Sequence, residues 1–160
     1  MTEGLNGYTR MTQLYNSVFE ISMRLLIILN VYKKPMGVDL LSYIDLFNTY
    51  GKNYGLSNTN LHGDNELSFS EIDSRRELVK NSVKRLVLQH YIDPINSSEG
   101  FLYQINQSGS ALCESMNSDY SREYVTEAKT IFKKVNNMSE KEITTISRKY
   151  GYEGKIYGLH

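Results

Sequence analysis

Three histidines, His62, His90 and His160, and one cysteine, Cys113, are the side chains in this 160-residue chain best suited to reactive chemistry. A zinc centre needs several His, Cys or carboxylate ligands at short spacing. No two histidines sit that way, and Cys113 has no cysteine partner. His62-Gly-Asp64 pairs a base with an acid, the raw material of proton transfer. It lacks a nucleophile motif and a second fixed group, so it reads as a turn. Neither a Gly-x-x-x-x-Gly-Lys-Ser/Thr phosphate loop nor a Gly-x-Gly-x-x-Gly fingerprint occurs. The expectation is no catalytic residue, no cofactor, no metal and no small-molecule substrate.

Phosphate contact is the second chemistry to weigh. The run from Asp73 to His90 carries five cations and two acids. As a helix it buries Ile72, Val79, Val83, Leu86 and Val87, with Lys80 and Lys84 flanking that stripe one turn apart. Arg75 and Arg85 point towards solvent. Arg75, Lys80, Lys84 and Arg85 are therefore the candidate DNA contacts, against the plainer reading of a solvated helix face. Arg76 falls inside the apolar arc and needs an ion-pair partner there, with Glu20, Glu71 and Asp45 as candidates. Breaking such a buried pair costs about 3–5 kcal/mol. The turn Asn96-Ser-Ser-Glu-Gly100 holds an acid and no cation, unlike a wing that grips a minor groove. A net charge of zero also argues against nucleic acid as the sole partner.

The elements that would position these groups follow from periodicity. Asn16 caps a first helix running to about Tyr32, apolar over so wide an arc that it must be packed on most sides. Glu20 and Arg24 share its narrow polar remainder at i,i+4 and can pair. Lys33-Lys-Pro-Met-Gly37 stops it. A second helix spans Leu40 to about Tyr50. Gly51 to Asn65 is a loop long enough to be functional or mobile. Ser70 or Asp73 caps the third helix, which leads into strands Tyr91–Ile95 and Phe101–Ile105. Ser108 or Ser110 starts a fourth helix, to about Met116. Ser118-Asp119 starts a fifth, to about Val135, and the capping box Ser139-Glu-Lys-Glu142 a sixth, to about Tyr150.

Helix, strand, turn, strand is the ending of a winged helix-turn-helix. The fold class is thus mainly α (α+β): a flexible N-terminus over 1–13, a winged-helix-like domain over 14–117, a helical extension over 118–150 and a Gly/Tyr tail over 151–160. Thirteen tyrosines and no tryptophan suit protein contacts. Tyr120, Tyr124 and Phe132 form a helical seam open to a partner or to the first helix. Lys149, Tyr150, Tyr152 and Tyr157 belong to a tail that is disordered or a docking strap. The lone cysteine rules out an internal disulfide and fits a reducing compartment. The start of the chain has no signal pattern, and Leu25–Leu29 is too short an apolar run to cross a bilayer. Cytoplasmic location is expected.

Several segments together resemble a known family. Asn16, Glu20 and Arg24 open the first helix ahead of an aliphatic run. Asp39-Leu-Leu-Ser-Tyr-Ile-Asp45, Arg75-Arg-Glu-Leu-Val79, Gly100-Phe-Leu-Tyr103, Ser118-Asp-Tyr-Ser-Arg122 and an aromatic/Gly stretch after Arg148 follow in order. In this the chain resembles the small middle components of bacterial ABC-three-component systems. Ser17-Val18 departs from it, since the family often has proline near the first Asn. The resemblance implies a winged-helix adaptor without catalytic residues. Such an adaptor sits between an SMC-like ATPase and an effector, often a nuclease, in Lamassu-type anti-phage or anti-plasmid defence. Its rival is a stand-alone winged-helix transcriptional regulator. The surfaces to watch are the loop around His62, the face carrying Lys80 and Lys84, and the tail from Lys149.

Overall fold

The computed structural model describes residues 17–65 and 68–157, with side chains to residue 150. The described chain is mainly helical with one two-stranded antiparallel sheet. The first helix, α1 (Val18–Tyr32), is the axis of the molecule: Ile21, Leu25, Leu26, Ile28 and Leu29 have no exposure at all. Its cap is Ser17, whose hydroxyl accepts the Glu20 N–H at 3.1 Å. Asn16 and the 1–13 segment lie outside the described residues. Lys33 ends α1 in the left-handed conformation and returns its N–H to the Leu29 carbonyl, and Pro35 bars any continuation.

The second helix, α2 (Val38–Thr49), starts two residues before the expected Leu40 and sends Leu41, Ile44, Leu46 and Phe47 into the core. The segment after it is not an open loop. It begins with a 3₁₀ turn (Gly51–Tyr54) and buries Tyr54 and Leu56. Asparagines then fasten it: Asn60 Nδ2 donates to Asn53 Oδ1 at 2.9 Å, and Asn53 Nδ2 donates to the Asn65 carbonyl. A second 3₁₀ turn (Ser68–Glu71) feeds α3 (Ile72–Leu88). Glu71 occupies the cap position without a side-chain cap bond, so neither Ser70 nor Asp73 plays that part. The helix stops at Leu88, and left-handed His90 turns the chain into the sheet.

Strands β1 (Ile92–Ser97) and β2 (Gly100–Ile105) pair from Ile92 opposite Ile105 to Ser97 opposite Gly100. The turn is therefore Ser98-Glu99 alone, tighter than expected, and Gly100 takes the positive φ of 105°. Met36, between α1 and α2, adds one rung on the far side of β2. Its N–H reaches the Tyr103 carbonyl at 3.0 Å, and the Tyr103 N–H returns to Met36 at 2.8 Å. Pro94 sits opposite Tyr103 in β1. Both backbone groups of Tyr103 point to Met36, so the missing proline donor costs nothing there.

Asn106 caps α4 (Gln107–Ser115), its Oδ1 accepting the Gly109 N–H at 3.0 Å; Ser108 and Ser110 do not start the helix. Gly109 lets this turn press on the sheet. A Cβ there would lie 2.3 Å from the Tyr91 carbonyl oxygen and 2.7 Å from Ile105 Cγ1. Gly109→Ala is expected to cost about 1–3 kcal/mol as an overpacking change. Chemical unfolding checks this, and a neutral or stabilising substitution would contradict the docking.

Ser118 caps α5 (Asp119–Val135). This helix belongs to the common core: Tyr124, Ala128 and Ile131 have no exposure. The last helix, α6 (Glu140–Tyr157), has Ser139 accepting the Glu142 N–H at 3.1 Å and contributes buried Ile143. It runs through residues 151–157, where a period-free tail was expected. Among the described residues no helix is long and apolar enough to cross a membrane.

Candidate functional site

The heart of the helical layer is charged. Asp45 on α2 is fully buried and receives two guanidinium groups. Arg24 on α1 meets it in fork geometry, Nε to Oδ1 at 2.9 Å and Nη2 to Oδ2 at 2.8 Å. Arg75 on α3 approaches the second oxygen at 3.3 Å. Tyr124 on α5 donates its hydroxyl to Oδ1 at 2.6 Å and in turn accepts from Asn48 Nδ2 at 3.1 Å. One carboxylate thus ties four helices together.

Arg75 has two further partners. It donates to the Thr49 hydroxyl at 2.7 Å and to Glu71 at 2.9 Å. The other Glu71 oxygen accepts from Asn65 at 2.8 Å and from the Tyr50 hydroxyl at 3.2 Å. Two arginines and two acids leave the cluster with no net charge. This is the arrangement under which buried charge is tolerated.

Electrostatics follow from the packing. Burial by itself would push the Asp45 carboxyl up. The Arg24 guanidinium, then that of Arg75, with hydrogen bonds from Arg24 and Tyr124, outweighs it and holds the group well below the usual carboxylate range. Burial would lower Arg24, and the Asp45 charge raises it instead. Burial, reinforced by the Asp45 charge, drives the Tyr124 phenol far up.

His62 reaches this cluster through Tyr120. Its Nε2 lies 2.6 Å from the Tyr120 hydroxyl, and the two rings stack at 5.9 Å. Burial, followed by the Arg24 charge, pushes the His62 imidazole down to about 3. The ring is therefore neutral in the fold. An unfolded histidine takes up its proton near pH ~6.5. Between those values the unfolded chain binds more protons, so stability rises with pH and is lost on acidification. His62→Gln is expected to remove a slope approaching ~1.4 kcal/mol per pH unit in that window. Parallel unfolding curves of the two proteins from pH 4 to 7 would contradict it.

The other sequence candidates are dispersed. Arg75, expected in solvent as a DNA contact, is 2% exposed, while Arg76, expected in the core, is the half-exposed neighbour. Arg76 pairs with Asp39 at 3.2 Å and Asp73 at 3.0 Å, not with Glu20, Glu71 or Asp45. Arg24 pairs with Asp45 instead of Glu20. Tyr124 cannot meet a partner, since it has no exposure. Tyr120 and Phe132 are half-buried, and Phe132 packs edge-on to Tyr32 of α1. Lys80, Lys84 and Arg85 are exposed, as are Lys149 and Tyr150. The side chains of Tyr152 and Tyr157 lie outside the described residues.

Cys113 is half-buried, and burial pushes its thiol up to about 12, so it stays protonated at neutral pH. Among the described residues no group of three or more His, Cys, Asp or Glu is placed to hold a metal ion. A cleft of about 250 Å³ opens between α1 and the start of α5, lined by Phe19, Glu20, Met23, Met116 and Tyr120 among others.

Sequence reasoning did not identify Asp45 as the hub. The available signal was an acid one turn after Leu41 and between Ile44 and Leu46, on the apolar side of α2. An α1 packed on most sides also carries an arginine that must find an anion. The sequence model of one family, the ABC-three component (ABC-3C) system Middle Component 2, matches residues 14–153. No curated protein and no solved structure matches the chain.

Proposed function

Since this chain belongs to the ABC-three component system Middle Component 2 family, we propose that it is a non-catalytic adaptor subunit. In this reading it works in the cytoplasm, joining an SMC-like ATPase to an effector in a complex that defends against phages or plasmids. The observation that carries the reading is the family match over residues 14–153. Two features support it. The most reactive groups pair with one another, His62 with half-buried Tyr120 and buried Tyr124 with buried Asp45. The order α1, the Met36 rung, α2, α3 and the β1–β2 hairpin is compatible with a winged helix in which Met36 stands for the first strand.

The test is co-expression with the other components of the same system. The expected result is a stable complex that survives size-exclusion chromatography. A chain that purifies alone as a dimer and binds a specific duplex with steep salt dependence would replace the adaptor by a stand-alone regulator.

A further inference from the structure

The C-terminal half of α3 combines exposed charge with exposed apolar surface. Lys80, Lys84 and Arg85 all face solvent, and no acid occurs in the sequence between Glu77 and Asp93. Leu88, one turn beyond Lys84, is 79% exposed. Phe19 of α1, 54% exposed, lies beside the same face, with the Arg85 guanidinium 5.8 Å from its ring centre. The Ser82 hydroxyl, bonded to the Leu78 carbonyl, also lies 3.3 Å from the Val18 carbonyl where the two helices pack. The cleft of about 250 Å³ begins at Phe19.

This combination discriminates between partners. A phosphate backbone uses cations and hydrogen-bond donors and gains nothing from burying a leucine and a phenylalanine. An amphipathic helix uses both. Its apolar stripe covers Leu88 and Phe19 and can seat one side chain in the cleft, while acids beside the stripe meet Lys80, Lys84 and Arg85. Glu20 in the cleft wall disfavours an acidic side chain there, so the helix's acids lie outside the cleft. Asp73 and Glu77, exposed on the first half of α3, mark where the basic field ends. Resting on the adaptor reading, we propose that Phe19 and the C-terminal half of α3 form the docking face for an acidic amphipathic helix of a partner component.

The experiment is hydrogen exchange on the full chain, alone and in the complex with its system's components, together with affinity measurements on variants. The expected footprint covers residues 18–27 and 80–92. Lys84→Glu with Arg85→Glu, and separately Phe19→Ser with Leu88→Ser, are expected to weaken the complex at least tenfold, the charge pair in a salt-dependent way. All four residues are exposed, so the variants should unfold like the parent protein. A complex whose footprint lies elsewhere, with both variants binding normally, overturns this face and leaves the adaptor reading standing. Failure to form any complex overturns both. A 20-base-pair duplex that protects residues 80–92 without any protein partner, and loses that effect in the charge variant, would assign the face to nucleic acid instead.

Discussion

Replacing Asp45 by alanine is expected to remove about 3–5 kcal/mol of stability, a large share of the ~5–15 kcal/mol that holds a typical domain folded. The carboxylate has no exposure and is the shared anion for Arg24 and Arg75, themselves 1% and 2% exposed. Without it two guanidinium groups remain in the interior, Glu71 still pairs with Arg75, and the Tyr124 hydroxyl loses its acceptor. Loss of pairing and not loss of volume should dominate, so Asp45→Asn, which keeps the shape, should be nearly as costly. The depressed carboxyl gives a second readout. A group held below its unfolded value of about 3.9 contributes stability that is present above that pH and lost as pH falls from there towards the lower folded-state value. The Asn variant should therefore show a shallower acid limb than the parent. Urea unfolding of both proteins between pH 2.5 and 7 decides the matter, and a loss under about 1 kcal/mol at neutral pH would mean that the network is not what holds these helices together.

Such a network is an expensive way to fill a core, since apolar residues of similar volume often stabilise as well or better. What it supplies here is registry. The fork of Arg24 on Asp45 and the short Tyr124 bond fix α1, α2 and α5 along their axes, which greasy contacts between Leu25, Ile44 and Ile131 do only loosely. The Arg75 branch does the same for α3 and, through Glu71 and Asn65, for the end of the 51–65 segment. The same registry holds Phe19 of α1 and Leu88 of α3 in a fixed relation.

Much of this frame was legible in the sequence where the signal is local. The wide apolar arc and the Lys33-Lys34-Pro35 stop define α1, and Ser118 and Ser139 begin α5 and α6 as read. The hairpin was visible because β-forming residues flank a Ser/Gly turn. What was not legible depends on tertiary partners. The 51–65 segment looks like a loose loop because Asn53, Asn60 and Asn65 are turn formers, and only the fold shows that they bond one another. Glu20 and Arg24 suggested an i,i+4 surface pair because a wheel assigns the polar arc to solvent. In a helix packed on nearly every side, α5 and α2 occupy much of that arc. Residues 151–157 continue α6 despite their glycines, whose cost of about 1 kcal/mol each makes helix a poor guess from propensity alone.

The adjacent arginines of α3 provide the sharpest contrast. Arg75→Ala is expected to cost about 3–5 kcal/mol and Arg76→Ala less than about 1 kcal/mol. The sequence suggested the reverse, and the reason is geometric. The buried stripe of α3 is Arg75, Val79, Ser82, Val83 and Leu86. Reading it from hydrophobicity alone omits Ser82 and admits Ile72 and Val87, both only partly buried, which rotates the centre of the arc towards Arg76. Ser82 is tolerated inside because its hydroxyl bonds the Leu78 carbonyl at 2.7 Å. Arg75 loses Asp45, Glu71 and Thr49 when truncated and leaves the Asp45 and Thr49 oxygens buried, whereas Arg76 pairs with Asp39 and Asp73 at side chains 64% and 90% exposed, where water takes over. The two also differ in reach. Arg75 orders Glu71, which in turn holds Asn65 and Tyr50, so its loss should speed hydrogen exchange at the amides of Gly63 and His62, while Arg76→Ala leaves them unchanged. Equal unfolding midpoints for the two variants would mean that α3 is rotated by about one residue from the position described, since successive helical residues point ~100° apart.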